Sequence, residues 1–149
     1  MENIWTRIND NIKIYLKDII LDYNMKVVKI SPLKTALIKD NFALIISIDR
    51  FAADVSFVRR IDNKLEVLPC DSFFAEKFSK EDRKDLLEGS CAKNIIINDL
   101  IIINNGLRSK WSNVLNGDTT WIADYKRSKW YDTYSLRPSE NDILDNLIK

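Results

Sequence analysis

Apolar residues recur every four positions at the start of the chain, at Ile4, Ile8, Ile12, Leu16 and Ile20. Trp5, Tyr15 and Ile19 widen the stripe, while Asn9, Asp10, Lys13 and Lys17 fall on the other side. That spacing predicts an amphipathic helix from about residue 2 to residue 22. Beyond Tyr23-Asn24 the period changes towards two. Residues 26–30 read as a strand ended by Ser31-Pro32, because proline has no amide to donate to a ladder. Residues 35–38 lead into the turn pair Asp40-Asn41, and 42–48 follow as the next strand. Phe42, Leu44, Ile46 and Ile48 point one way and Ala43, Ile45 and Ser47 the other, which predicts a central strand covered on both faces. Ala53, Val55 and Phe57 alternate with Asp54, Ser56 and Val58, and Asp62-Asn63 marks a hairpin into 65–68.

Pro69 stops the β pattern. Residues 71–89 are mixed, with Phe73, Phe74 and Phe78 as apolar anchors and a helix predicted from the Ser79 cap to Leu87, stopping at Gly89. The strongest later period spans 93–116, through Ile96, Leu100, Ile103, Leu107, Trp111 and Val114 or Leu115. Ile95, Ile97, Ile101 and Ile102 make its first half apolar nearly all round, so this helix should be deeply buried at one end. Asn116-Gly117 supplies a C-terminal cap, and Asp118 or Thr119 starts a short helix through Trp121, Ile122 and Tyr125. The last helix should span 138–149, opened by Pro138, with Ile143, Leu144, Leu147 and Ile148 as its stripe. The expected fold class is α+β: an N-terminal helix, an antiparallel meander of about four strands, then several helices packed on the sheet. Residues 1–149 read as one such domain, of a size that buries roughly two-thirds of its unfolded surface.

Composition narrows the chemistry. With 23 Lys and Arg against 22 Asp and Glu, the net charge of +1 matches neither a nucleic-acid coat nor an acidic mimic. No histidine is present, which removes Ser-His-Asp and Cys-His nucleophiles, HExxH sites and His-ligated zinc. The three glycines lie too far apart for a phosphate-binding loop, and two cysteines are too few for a four-thiolate zinc site. Charges at Arg7, Asp10, Lys13, Lys17 and Asp18 interrupt any secretory signal, so a cytoplasmic location is expected, with Cys70 and Cys91 as unpaired, buried thiols. Ile, Lys and Asn supply 21, 15 and 14 residues, a bias of AT-rich bacterial or phage-like coding.

Three groupings invite a functional reading. Asp62-Asn63-Lys64 has the D-x-K spacing of metal-dependent nucleases, but a hairpin turn explains the Asp-Asn pair without a metal. Asp49, Asp54, Asp71 and Glu76 offer carboxylate pairs, as any chain with 22 acids does, and solvated charge is the simpler account. The segment from Tyr125 to Tyr134 carries more weight, with three cations and four aromatics in ten residues. Lys126, Arg127, Lys129, Trp130, Tyr131 and Tyr134 are the candidate partner-binding residues, since Trp, Tyr and Arg mark protein hot spots. The same composition, with Arg59-Arg60, suits single-stranded nucleic acid, and packing of Trp130 and Tyr131 on the core is the structural alternative.

The meander FALIISIDRFAADVSFVRR after an N-terminal helix and before further helices is similar to immunity proteins of contact-dependent inhibition and related polymorphic toxin systems of bacteria. LNGDTTWIADYK, residues 115–126, resembles a piece of small bacterial proteins of that neighbourhood. The resemblance is architectural and carries over no functional residue; it implies a non-enzymatic protein that neutralises a cognate toxin domain, without metal or cofactor. Many immunity proteins are acidic, and the +1 charge departs from that habit. The alternative function is a nucleic-acid-binding accessory protein.

Overall fold

In the computed structural model, which describes residues 3–149, the N-terminal stripe forms three short helices rather than one. They are α1 (Ile4–Asp10), α2 (Ile12–Tyr15) and α3 (Lys17–Asp22). Residue 2, included in the predicted helix, lies outside the described residues. The breaks at Asn11 and Leu16 have a geometric reason. A four-residue step overshoots one helical turn by about 40°, so a straight helix would carry Ile20 far around from Ile4. Breaking the axis keeps Ile8, Ile12, Leu16 and Ile19 all in the core. A buried side chain serves the second break: Asn104 Oδ1 accepts the Ile19 N–H at 3.3 Å.

The sheet has five strands, one more than expected: β1 (Lys26–Ser31), β2 (Lys34–Lys39), β3 (Phe42–Ile48), β4 (Ala53–Ile61) and β5 (Lys64–Leu68). All neighbours are antiparallel and the spatial order is the chain order, as short connections dictate. Pro32 sits in the β1–β2 turn. At the β4–β5 turn Asp62 and Asn63 take φ of 50° and 64°, the left-handed pair a tight hairpin requires. β3 is central, with Leu44 between Leu37 and Phe57 in register. Leu37, Phe42, Leu44, Ile46, Val55 and Phe57 join the larger core, while Ala36, Ile38, Ala43, Ile45 and Val58 join a second core on the opposite face.

The helices after the sheet divide between those two faces. The larger core takes α4 (Asp71–Ala75), α5 (Ala92–Lys110), α6 (Ser112–Leu115) and α7 (Trp121–Arg127) along with the N-terminal helices. The second core is closed by α8 (Pro138–Asp145) and the residues after it, through Leu144 and Ile148. Arg60 holds that last helix by its C-terminal end, donating to Asp145 Oδ1 at 2.8 Å and to the Asp145 and Ile148 carbonyls at 2.9 and 2.8 Å.

Three predicted helices are shortened, the last of them from 138–149 to Pro138–Asp145. The 93–116 helix stops at Trp111, whose indole N–H donates to the Phe74 carbonyl at 3.0 Å, and α6 continues beyond it. Ile96, Leu100 and Ile103 are buried as expected, but Ile95 is exposed. The helix predicted from Ser79 to Leu87 is only a 3₁₀ turn, Lys80–Arg83. Asp85 and Gly89 at φ 58° and 94° turn the chain away from helix there. Asp82, buried, holds the turn by accepting the Ser79 amide at 2.8 Å and the Ser109 hydroxyl. Mid-helix Gly106 also has a packing reason, since a Cβ there would stand 2.4 Å from the Phe78 ring.

Asn9, assigned by pattern to the solvent side, is buried instead. Its amide donates to the Ser31 and Pro32 carbonyls at 3.1 and 3.2 Å, and its carbonyl accepts the Thr35 hydroxyl at 2.6 Å. One polar side chain thus ties α1 to the β1–β2 hairpin, and among the described residues no buried side-chain polar atom lacks a partner. Cys70 is buried but Cys91, expected to be buried too, is exposed; neither is paired. Among the described residues, no helix is long and apolar enough to cross a membrane.

Candidate functional site

The predicted recognition segment begins in the last turn of α7 and continues as a loop of residues 128–137 that crosses towards α8. Its root is rigid. Tyr125 is fully buried, and its hydroxyl lies 3.3 Å from the Pro69 carbonyl and accepts the Asp132 N–H at 3.2 Å. Ser128 closes the end of α7 by donating its hydroxyl to the Tyr125 carbonyl at 2.7 Å and accepting the Trp130 N–H at 3.2 Å. These bonds hold Trp130 at the surface, about one-third exposed, with its indole N–H donating to Glu76 Oε2 at 2.6 Å.

Trp130 and Lys129 form one wall of an open groove of about 630 Å³, with Ser128 beside them. Phe73, Glu76 and Lys77 of the α4 region form the other wall. Lys129 Nζ stands 4.8 Å from the Trp130 ring centre, and Lys77 Nζ stands 4.4 Å from that of Trp111. Behind the groove Phe73 packs on Trp111, Trp121 and Tyr125, ring centres 5.3–6.2 Å apart. Aromatic walls with ammonium groups beside them take an apolar side chain with carboxylates nearby.

The six predicted residues do not form one patch. Lys129 and Trp130 line the groove. Tyr131 stands edge-on against Tyr125, ring centres 5.6 Å apart, and stays partly exposed. Lys126 pairs with Glu66 at 3.0 Å, and Arg127 pairs with Asp124. Burial works to raise the Glu66 carboxyl, yet its bonds from Lys126 and Arg59 together hold it below the usual range. Tyr134 forms an isolated bridge with Val67 of β5, and its hydroxyl meets Lys34, which also pairs with buried Glu140 at 3.2 Å. Arg59 pairs with Glu66 at 2.9 Å and Arg60 is committed to α8. The α4 wall escaped the sequence reading. Phe73 and Phe74 were visible as anchors, but nothing local brings residue 76 beside residue 130.

The carboxylates form a separate group at one end of the sheet. β5 covers β4 only from Phe57 onward, so the early amides of β4 need other acceptors. Asp71 Oδ1 accepts the Val55 N–H at 3.0 Å and Asp99 Oδ2 accepts the Ala53 N–H at 3.1 Å. Asp49 Oδ1 accepts from Phe51 and Ala52 in the preceding turn, at 2.7 and 2.9 Å. Burial raises the Asp71 carboxyl to about 7, the Val55 hydrogen bond opposes that, and Asp54 and Asp99 add to it. Asp54 and Asp71 also border a hollow of about 420 Å³ with Lys34 and Tyr134 opposite. Asp71 and Asp99 complete the ladder of β4, and Asp49 holds the turn before it. Asp62 lies in its hairpin turn, and among the described residues no group of three or more His, Cys, Asp or Glu is arranged to hold a metal ion. Comparison with protein-family models, with curated proteins and with solved structures gave no match to this chain.

Proposed function

We propose that this chain is a non-enzymatic, immunity-type protein that binds and neutralises a cognate bacterial toxin domain in the cytoplasm. The observation that carries the reading is the Trp130 groove. A large aromatic ring is held partly exposed by hydrogen bonds at both ends, in a groove it shares with Phe73, on a scaffold anchored in the core. A preorganised aromatic of this kind loses little entropy on binding and can bury a large surface. Trp130 would be the anchor, with Tyr131 beside it and Lys77 and Lys129 meeting carboxylates on the toxin. Screening leaves each exposed cation worth little, so the aromatics set affinity and the cations the rate of encounter.

The nucleic-acid alternative fares less well against the ion pairs. Lys126, Arg127, Arg59 and Arg60 each have a carboxylate partner, so few of these cations are left to follow a phosphate backbone. The test is co-expression with the toxin encoded beside this gene, followed by measurement of binding to the Trp130→Ala variant. Rescue of growth, with an affinity loss of about 2 kcal/mol or more at unchanged stability, supports the proposal. Cell death despite expression overturns it, and loss of stability with intact affinity returns Trp130 to the core.

A further inference from the structure

Among the described residues, no strand pairs with the outer edge of β1. β1 is the outermost strand, and between Lys26 and Lys29 it pairs in regular register with β2 on its inner side alone. Beyond Lys29 the register shifts, which limits the straight part of the edge to these four residues. Alternate amides and carbonyls along that part point away from β2, and they hydrogen-bond to no described residue. The opposite edge differs, because Tyr134 bridges to Val67 there.

Two hollows flank β1, one on each face of the sheet. On the larger-core face, one of about 210 Å³ has Ile12 and Val27 in its floor and Lys13 and Lys29 at its rim. On the other face, one of about 270 Å³ has Ile38 and Leu147 in its floor and Lys26 and Lys149 at its rim. A strand added to an edge sends successive side chains to opposite faces, so its residues would enter these two hollows in turn. The rims are cationic on both sides. Asp10, paired with Lys29 at 2.6 Å, and Asp40 are the acids beside them.

We propose that the free β1 edge binds an extended acidic segment of a partner protein by strand addition. Main-chain hydrogen bonds to Lys26–Lys29 would supply the pairing, and acidic and small apolar residues in successive pairs would send a carboxylate and an apolar side chain to each face, matching a lysine rim and an apolar floor on both. A second copy of this chain would bring lysine rim against lysine rim and lacks this complementarity. This inference stands apart from the Trp130 groove and does not depend on it.

The probe is a blocked eight-residue peptide of two Glu-Glu-Val-Val repeats, titrated into the full chain while amide exchange is followed by NMR. The expected result is slowed exchange at alternate amides of residues 26–29, binding that weakens as salt rises, and at least tenfold weaker binding to the Lys26→Glu, Lys29→Glu double variant. A peptide of equal charge with proline replacing two valines should lose the protection, because it cannot complete the ladder. Equal binding of the proline peptide would reduce the site to bulk electrostatics and overturn the proposal. So would protection elsewhere on the chain, or none at millimolar peptide. A concentration-dependent dimer with β1 protected, measured without peptide, would assign the edge to a second copy instead.

Discussion

Replacing Asp71 by Asn should make the protein more stable at neutral pH and remove part of its pH dependence. Asp71 begins α4 and its Oδ1 accepts the Val55 amide, a bond that the Asn carbonyl can keep. In the folded chain its carboxyl is raised from 3.8 to about 7, chiefly by burial, with Asp54 and Asp99 adding to the cost of a further negative charge. A raised folded-state value means that between about pH 4 and 7 the native state holds a proton the unfolded chain has released. Stability therefore falls as pH rises through that window, and the full penalty is present above it. At about 1.36 kcal/mol per pH unit between 3.8 and about 7, the penalty has a ceiling of about 4 kcal/mol. Asp54 and Asp99 are also raised, mainly by burial, and share the relaxation, so the single substitution should recover only part of that ceiling. Urea unfolding of both proteins at pH 4.5 and pH 8, at fixed ionic strength, gives the double difference in which titrations not coupled to Asp71 cancel. Asp71→Asn should gain at least about 1.5 kcal/mol more at pH 8 than at pH 4.5. An equal effect at both pH values, or a wild-type stability that is flat from pH 5 to 7.5, would refute the reasoning.

Other expectations follow from packing. Leu100→Ala, in the buried half of α5, should lose about 2–5 kcal/mol by urea unfolding, and a loss under about 1 kcal/mol would contradict its place in the core. Gly106→Ala should cost about 1–3 kcal/mol, because its new Cβ meets the Phe78 ring; adding Phe78→Ala should bring a smaller loss than the two single effects summed. Asn9→Ala should cost about 1–3 kcal/mol by leaving the Thr35 hydroxyl and the Ser31 and Pro32 carbonyls short of a partner. Intact mass under non-reducing conditions should show two free thiols, with Cys91 labelled at once by a maleimide and Cys70 only on unfolding; prompt labelling of Cys70 would refute its burial.

Local pattern carried much of this fold. Alternation through residues 42–48 placed β3 at the centre of the sheet with both faces covered, since a pleated strand sends neighbouring side chains to opposite sides. Asp62-Asn63 announced its hairpin because few residues tolerate left-handed backbone. Ile96, Leu100 and Ile103 announced the buried face of α5. The segment holding Trp130 was legible as a recognition candidate from composition alone.

Three-dimensional packing decided the rest. The stripe at Ile4 to Ile20 reads as one helix, and only the need to keep Ile8, Ile12, Leu16 and Ile19 in the core breaks it into three. Asn9 reads as a solvent residue, and only the meeting of α1 with the β1–β2 hairpin supplies the carbonyls that draw its amide inside. Which face of the sheet each helix covers is settled by contacts between residues far apart in the chain, such as Arg60 with the end of α8. The groove follows the same rule, because Glu76 and Trp130 lie 54 positions apart and meet only when α4 and α7 pack on the same face of the sheet. A periodic pattern reports which side of an element is apolar, whereas the partner of that side is chosen by closure of the whole core, in which every buried polar group must also find its bond.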